Sequence, residues 1–378
     1  MARRRRRNGP NGCLIAILVF LAIILIAAGA AFFLAKGDID GKRGAEVEKT
    51  IIVEMGSSPS TIGKQLQSEG IIKNGILFRF YVKQKDVAET LQYGEFTFNS
   101  AMSYDEIITT LQTTNKDRDT VIVTFPEGTT AVQFGARLEE AGLCTSAEFL
   151  EVANTGDFSH LKFWSKRDEN PSQFMACEGY LFPETYEFFK DATAYDIVNK
   201  IYTEFDSKFT DEMYAQVESM GFTLTEFVTL SSIVQEEAGL VDHQSDVAAV
   251  FMSRLAENSI VNKLESNCSS YLQKDAENNY IYNTIAPYYG GWDAIPVEVY
   301  NNYNTYEKVG LPAGPISNPG LDAMTNTLKY QSSPYWDTAN PYYFFLTDKA
   351  GKYYFAHTAN EHVANDEAAQ IVNASLGK

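Results

Sequence analysis

The chain has 378 residues, 45% of them hydrophobic and 21% charged, enough apolar content for two or three packed domains and too much for a disordered chain. Its net charge is −18, and the part beyond the basic run Arg3 to Arg7 carries −23, five positive charges fewer, so the body repels phosphate backbones and nucleic acid is excluded as a partner. Four histidines without paired spacing argue against a zinc site, and Cys144, Cys177 and Cys268 are too few and too scattered for more than one disulfide.

The five arginines precede an uncharged run of 23 residues, Cys13 to Ala35 (CLIAILVFLAIILIAAGAAFFLA). At about 1.5 Å per residue this run spans a hydrocarbon core of about 30 Å, and the arginines predict a cytoplasmic N-terminus. A cleaved signal peptide is the competing reading, with AGA at Ala28 to Ala30 as its cleavage site, but apolar residues continue past that point. The expectation is therefore a cytoplasmic tail over 1–12, a transmembrane anchor over 13–35 and an extracytoplasmic body, in a single-pass cell-membrane protein.

A polar linker is expected over 36–50, followed by a repeat. GSSPSTIGKQLQSEG (56–70) and GTTAVQFGARLEEAG (128–142) match at five positions with an offset of 72 residues. Each follows a β-like run, TIIVEM or TVIVTF, has Ser or Thr where a helix should start, and ends in Gly plus an aliphatic residue. Two βα modules are predicted, over 51–119 and 120–160. A third domain is expected over 161–378, with a helical stretch near 192–220 and a rigid loop at GLPAGPISNPG. Near the C-terminus a β-hairpin should turn near Lys349 to Gly351.

Within that domain, Thr223 and Glu226 form a capping box that starts a helix near Leu224. At about 100° per residue, with Phe227 at 0°, Leu230, Ile233 and Val234 define an apolar face near 300°. Glu237 falls at about 280°, inside that face, and Glu236 at about 180°, on its flank. Desolvation would raise the pKa of Glu237 and fit it for general-acid work, whereas Glu236 is expected in a solvated patch.

Several strings together resemble the endolytic murein transglycosylases, the MltG or YceG-like family: FPEGTT (125–130), EGYLFPETYEF (178–188), LSSIVQEEAG (230–239), VAAVFMSRL (247–255) and YNTYEKVGLPAGPISNPG (303–320). The resemblance implies an α+β fold with a single N-terminal transmembrane helix, small LysM-like βα modules and a mixed α/β catalytic domain. It implies endolytic cleavage between N-acetylmuramic acid and N-acetylglucosamine in nascent glycan strands, giving 1,6-anhydro ends, with Glu237 as acid and then base. Neither metal nor cofactor is implied. Asn304, Tyr306 and Ser266 are the substrate-binding candidates, and Asp246 and Glu265 are weak candidates for a second carboxylate. Peptidoglycan strands, the membrane and penicillin-binding proteins are the implied partners. Two departures stand out: Leu264 to Cys268 reads LESNC where relatives read L-Q-S-D-P, and Tyr353 replaces a histidine. The alternative is a membrane-anchored glycan-binding scaffold with little or no activity.

Overall fold

A computed structural model describes residues 33, 35–44, 47–53, 57–113, 119–168, 170–273, 276 and 278–376. The chain divides into two compact units between Asp119 and Thr120. In the first, β1 (Glu48–Val53) pairs antiparallel with β2 (Gly94–Asn99), Ile51 facing Phe96. Between the strands lie α1 (Pro59–Ser68) and α2 (Gly75–Lys85), each started by a side-chain cap, Ser58 and Asn74; α3 (Tyr104–Gln112) follows β2. Ile62, Leu66, Phe78 and Val82, at helical spacing, close the core against the strands.

The predicted linker is partly built into this unit. Asp38 is buried, pairs with Arg43 at 2.5 Å and accepts a hydrogen bond from the Tyr104 hydroxyl at 2.7 Å. Burial alone would raise its pKa; the Tyr104 and Lys73 hydrogen bonds and the Arg43 charge outweigh it and hold the carboxyl below the usual aspartate range.

The second unit begins with the other copy of the repeat. Here β3 (Thr120–Thr124) pairs antiparallel with β4 (Thr185–Phe189), and α4 (Ala131–Glu140) and α5 (Ser146–Thr155) lie between them in sequence. The two copies are thus both βααβ units, and the matched residues have matching tasks. Gly70 and Gly142 follow their helices with φ of 75° and 72°, the left-handed geometry that closes a helix without a Cβ penalty. At Gly63 a Cβ would lie 2.6 Å from the Gly75 carbonyl oxygen, and at Gly135 it would collide with the Ser146 hydroxyl. In each copy the glycine lets the second helix cross close to the first. The expected boundary at 160/161 falls between α5 and β4, inside the second βααβ unit. The expected LysM-like character of these units is not supported.

The helical stretch expected over 192–220 is two helices, α6 (Ala194–Lys208) and α7 (Asp211–Ser219), because Thr210 leaves helical geometry and caps the second. Then come α8 (Leu224–Glu237), α9 (Gln244–Leu255), the short α10 (Ala286–Tyr289), α11 (Val297–Tyr303) and α12 (Leu321–Leu328). The hairpin β5 (Phe344–Thr347) and β6 (Tyr353–Ala356) and helix α13 (Ala359–Leu376) complete the unit. Helix α8 is its axis: Phe227 and Val228 pack into one hydrophobic cluster and Leu230, Ile233 and Val234 into another.

One expectation is corrected. Among the described residues no helix is long and apolar enough to cross a membrane. A span needs about 20 apolar residues; α13, 18 residues long, carries Glu361, Asp366 and Glu367. The α+β class stands, but the single transmembrane helix, the membrane as partner and the single-pass localisation are not supported. Of the 13–35 run, all but Phe33 and Ala35 lies outside the described residues.

Candidate active site

Helix α8 starts on the Thr223–Glu226 capping box and ends at Glu237, where Ala238 leaves helical geometry (φ −95°, ψ 89°). The next amide, of Gly239, donates to the Tyr353 hydroxyl at 3.0 Å, so this tyrosine holds the chain beyond the helix end. The Glu237 carboxyl is partly exposed. Its Oε1 accepts from the Ser266 hydroxyl at 2.5 Å and from the Cys268 thiol at 3.5 Å.

Ser266 and Cys268 come from a loop that bends at Glu265, whose φ of 48° is left-handed. The neighbouring NTY string clamps that loop. The Thr305 hydroxyl accepts from the Ser266 amide at 2.9 Å and donates toward the Ser266 and Ser269 carbonyls at 2.7 and 3.0 Å. Thr305 was not singled out by sequence, although it sits between two residues that were. Tyr306 donates to the Asn267 side chain at 3.0 Å, and burial, followed by the Glu237 charge, raises its phenol to about 12. Asn304 is fully buried; its amide donates to the Tyr300 hydroxyl and accepts from the Tyr306 amide, so both ends are engaged inside the protein. The structure therefore gathers Ser266 and Tyr306 around Glu237 and uses Asn304 beneath them.

The two weak carboxylate candidates have other tasks. Asp246, in the first turn of α9, accepts from Ser333 and His243. Glu265 lies 4.0 Å from the Arg254 guanidinium, which itself donates to the Tyr343 and Leu264 carbonyls.

Glu236 is a correction. It was expected in solvent, yet its Oε1 is shut off from water, and burial pushes its carboxyl up to about 7. The helical wheel assumed one buried face and one wet face. Helix α8 runs between two cores, so the 180° flank meets the FPEGTT turn instead: a Cβ on Gly128 would lie 2.6 Å from Glu236 Oε1. Close by lies an acid that sequence reading missed. Glu178 is fully buried, its Oε1 accepts from the Ala131 amide at 2.9 Å and the Asn318 side chain at 2.8 Å, and burial pushes it up to about 8. Its Oε2, Glu236 Oε1 and the hydroxyls of Tyr280 and Ser317 are buried and, among the described residues, make no hydrogen bond of good geometry, although the Tyr280 hydroxyl faces the Glu178 carboxyl and the Ser317 hydroxyl faces that of Glu236.

Asn318 explains why the quoted strings occur together. Its side chain also donates to the Thr129 carbonyl at 2.9 Å and accepts from the Leu181 amide at 2.9 Å, and its carbonyl accepts from the Gly128 amide at 2.9 Å. One asparagine of GPISNPG thus ties FPEGTT and EGYLFPE to each other. Gln235 adds α8 to the same knot by accepting from the Gly320 amide at 3.0 Å.

The sequence profile of the YceG-like family matches residues 51–368. The chain belongs to this family. Among its relatives, an endolytic murein transglycosylase of Streptococcus pneumoniae (strain D39) is 26% identical over 96% of this chain, and that of Bacillus subtilis (strain 168) is 24% identical over 88% of each chain. The chain spans 65% of the length of the pneumococcal relative. A crystal structure of a YceG-like protein from Listeria monocytogenes superposes with a TM-score of 0.50 at 26% identity, over 84% of this chain and 98% of that one.

Proposed function

We propose that this YceG-like chain is a peptidoglycan lytic transglycosylase that cuts between N-acetylmuramic acid and N-acetylglucosamine with Glu237 as its acid and base. The observation that carries this reading is the partly exposed carboxyl of Glu237 at the end of helix α8, its Oε1 held by Ser266 and Cys268. The neighbouring carboxyl of Glu236 is turned inward, and that of Glu265 is drawn toward Arg254. Most glycosidases need two working carboxyls; a transglycosylase needs one, since the attacking hydroxyl belongs to the substrate.

In the first step the protonated Glu237 gives its proton to the glycosidic oxygen as the bond from muramic C1 to that oxygen breaks. The glucosamine 4-hydroxyl leaves. In the second step the Glu237 carboxylate takes the proton of the muramic 6-hydroxyl as O6 bonds to C1. The 1,6-anhydro ring closes and the carboxyl regains its proton, so atoms and protons balance without water. Tyr306 and Tyr271, with ring centroids 5.9 Å apart, offer apolar faces on which a sugar ring can stack.

The test is to digest uncrosslinked glycan strands in water enriched in oxygen-18. The account expects 1,6-anhydro-muramic ends free of the label. Labelled reducing ends would mean that water attacks, and binding without cleavage would favour the glycan-binding scaffold.

A further inference from the structure

Two donors converge on one oxygen of Glu237. Ser266 Oγ at 2.5 Å and Cys268 Sγ at 3.5 Å both address Oε1, while among the described residues Oε2 makes no hydrogen bond. The direction of the thiol is itself fixed. The Asn278 side chain donates an N–H to Cys268 Sγ at 3.1 Å, which engages a sulfur lone pair and leaves the S–H to point at Glu237. Asn278 is anchored in turn by the Glu236 carbonyl, to which it donates at 3.1 Å. Cys268 is 3% exposed and Ser266 1%, so water does not compete for either bond.

An oxygen that accepts two hydrogen bonds is the carbonyl-like oxygen of a protonated carboxyl, and the proton then sits on the other one. We infer that Ser266 and Cys268 are positioning residues that lock Glu237 Oε1 as an acceptor and so confine the working proton to Oε2, with Asn278 aligning the thiol. This rests on the reading of Glu237 as the acid. Within the LESNC string, Cys268 thus supplies a second donor beside Ser266.

The charged and titratable groups around Glu237 are Glu236 on its own helix, Arg254 on α9, Glu265 and Cys268 on the loop, and Tyr306. Of these, Cys268 also interacts with the Ser266 hydroxyl. Hydrogen bonds donated to a carboxylate favour its charged form, so losing one raises its pKa.

The test uses the full-length protein on uncrosslinked glycan strands, with kcat and KM followed from pH 4 to 9. Ser266→Ala is expected to lower kcat by roughly 10- to 100-fold with KM within about twofold, and to move the alkaline limb of kcat upward by up to about one pH unit. A thiol is a weaker donor, so Cys268→Ala should lower kcat by roughly three- to tenfold and Cys268→Ser should restore it. Asn278→Ala should add nothing in the Cys268→Ala background.

A kcat loss with an unmoved alkaline limb, or a loss carried by KM, would overturn the proposal, as would a Cys268→Ser variant no better than Cys268→Ala. Ser266→Thr keeps the hydroxyl and serves if the alanine variant does not fold; it should retain the wild-type limb, and a shifted limb would count against the proposal. Glu237→Gln separates this from the reading beneath it: if that variant still cuts, Glu237 is not the acid, whatever Ser266 and Cys268 do.

Discussion

Glu178→Gln should flatten the pH dependence of stability. Glu178 is fully buried beside the Tyr280 hydroxyl, and burial pushes its carboxyl up from an ordinary 4.5 to about 8. Because the folded state holds this proton more tightly than the unfolded chain, the group's contribution to stability is greatest below about pH 4.5. It declines as pH rises from there to about 8, with a slope of about 1.4 kcal/mol per pH unit and a total on the order of 5 kcal/mol. Glutamine keeps the Oε1 that accepts from Ala131 and Asn318, matches the shape of the protonated acid and never ionises. The variant should therefore equal the wild type near pH 5 and exceed it by several kcal/mol near pH 8. Glu236, also raised by burial, gives both proteins a slope of the same sign, so the diagnostic quantity is the difference between them. Urea unfolding at pH 5, 6, 7 and 8 measures it. Parallel stability curves, or a variant weaker at pH 8, would refute the reasoning.

The remaining predictions concern packing and the loop clamp. Asp38→Asn leaves Arg43 buried without its counter-charge and should cost about 3–5 kcal/mol in unfolding experiments. Gly63→Ala should lower stability by about 1–3 kcal/mol, since the new Cβ meets backbone at 2.6 Å; Gly135→Ala should cost less, because its nearest obstacle is the rotatable Ser146 hydroxyl. Both are read by thermal melting. Thr305→Val keeps the shape but strands the Ser266 amide, at a cost of about 1–3 kcal/mol, and should lower kcat on glycan strands with little change in KM.

The repeat could be read from the chain because its signals are local: Ser58 and Thr130 cap, Gly70 and Gly142 stop, and Gly63 and Gly135 mark close helix crossings. The start of α8 was legible for the same reason, through its capping box. Glu236 was not. Its burial depends on the Gly128 turn, about a hundred positions away in the chain, and a wheel drawn for one helix cannot see what covers the opposite flank. Glu178 was hidden inside a string read only for resemblance, since nothing local marks a glutamate as fully enclosed. Cys268 looked like damage to a motif; only the thiol's contacts with Glu237 and Asn278 give it a task. The anchor expectation came from the uncharged 13–35 run, the arginines before it and the family resemblance, and among the described residues no helix is long and apolar enough to support it.

The most direct test of the account compares wild type with Glu237→Gln on uncrosslinked glycan strands, with the products identified by mass spectrometry and folding checked by circular dichroism. The account predicts 1,6-anhydro-muramic ends from the wild type and intact strands from the folded variant. Anhydro ends from Glu237→Gln at a rate near that of the wild type would contradict it.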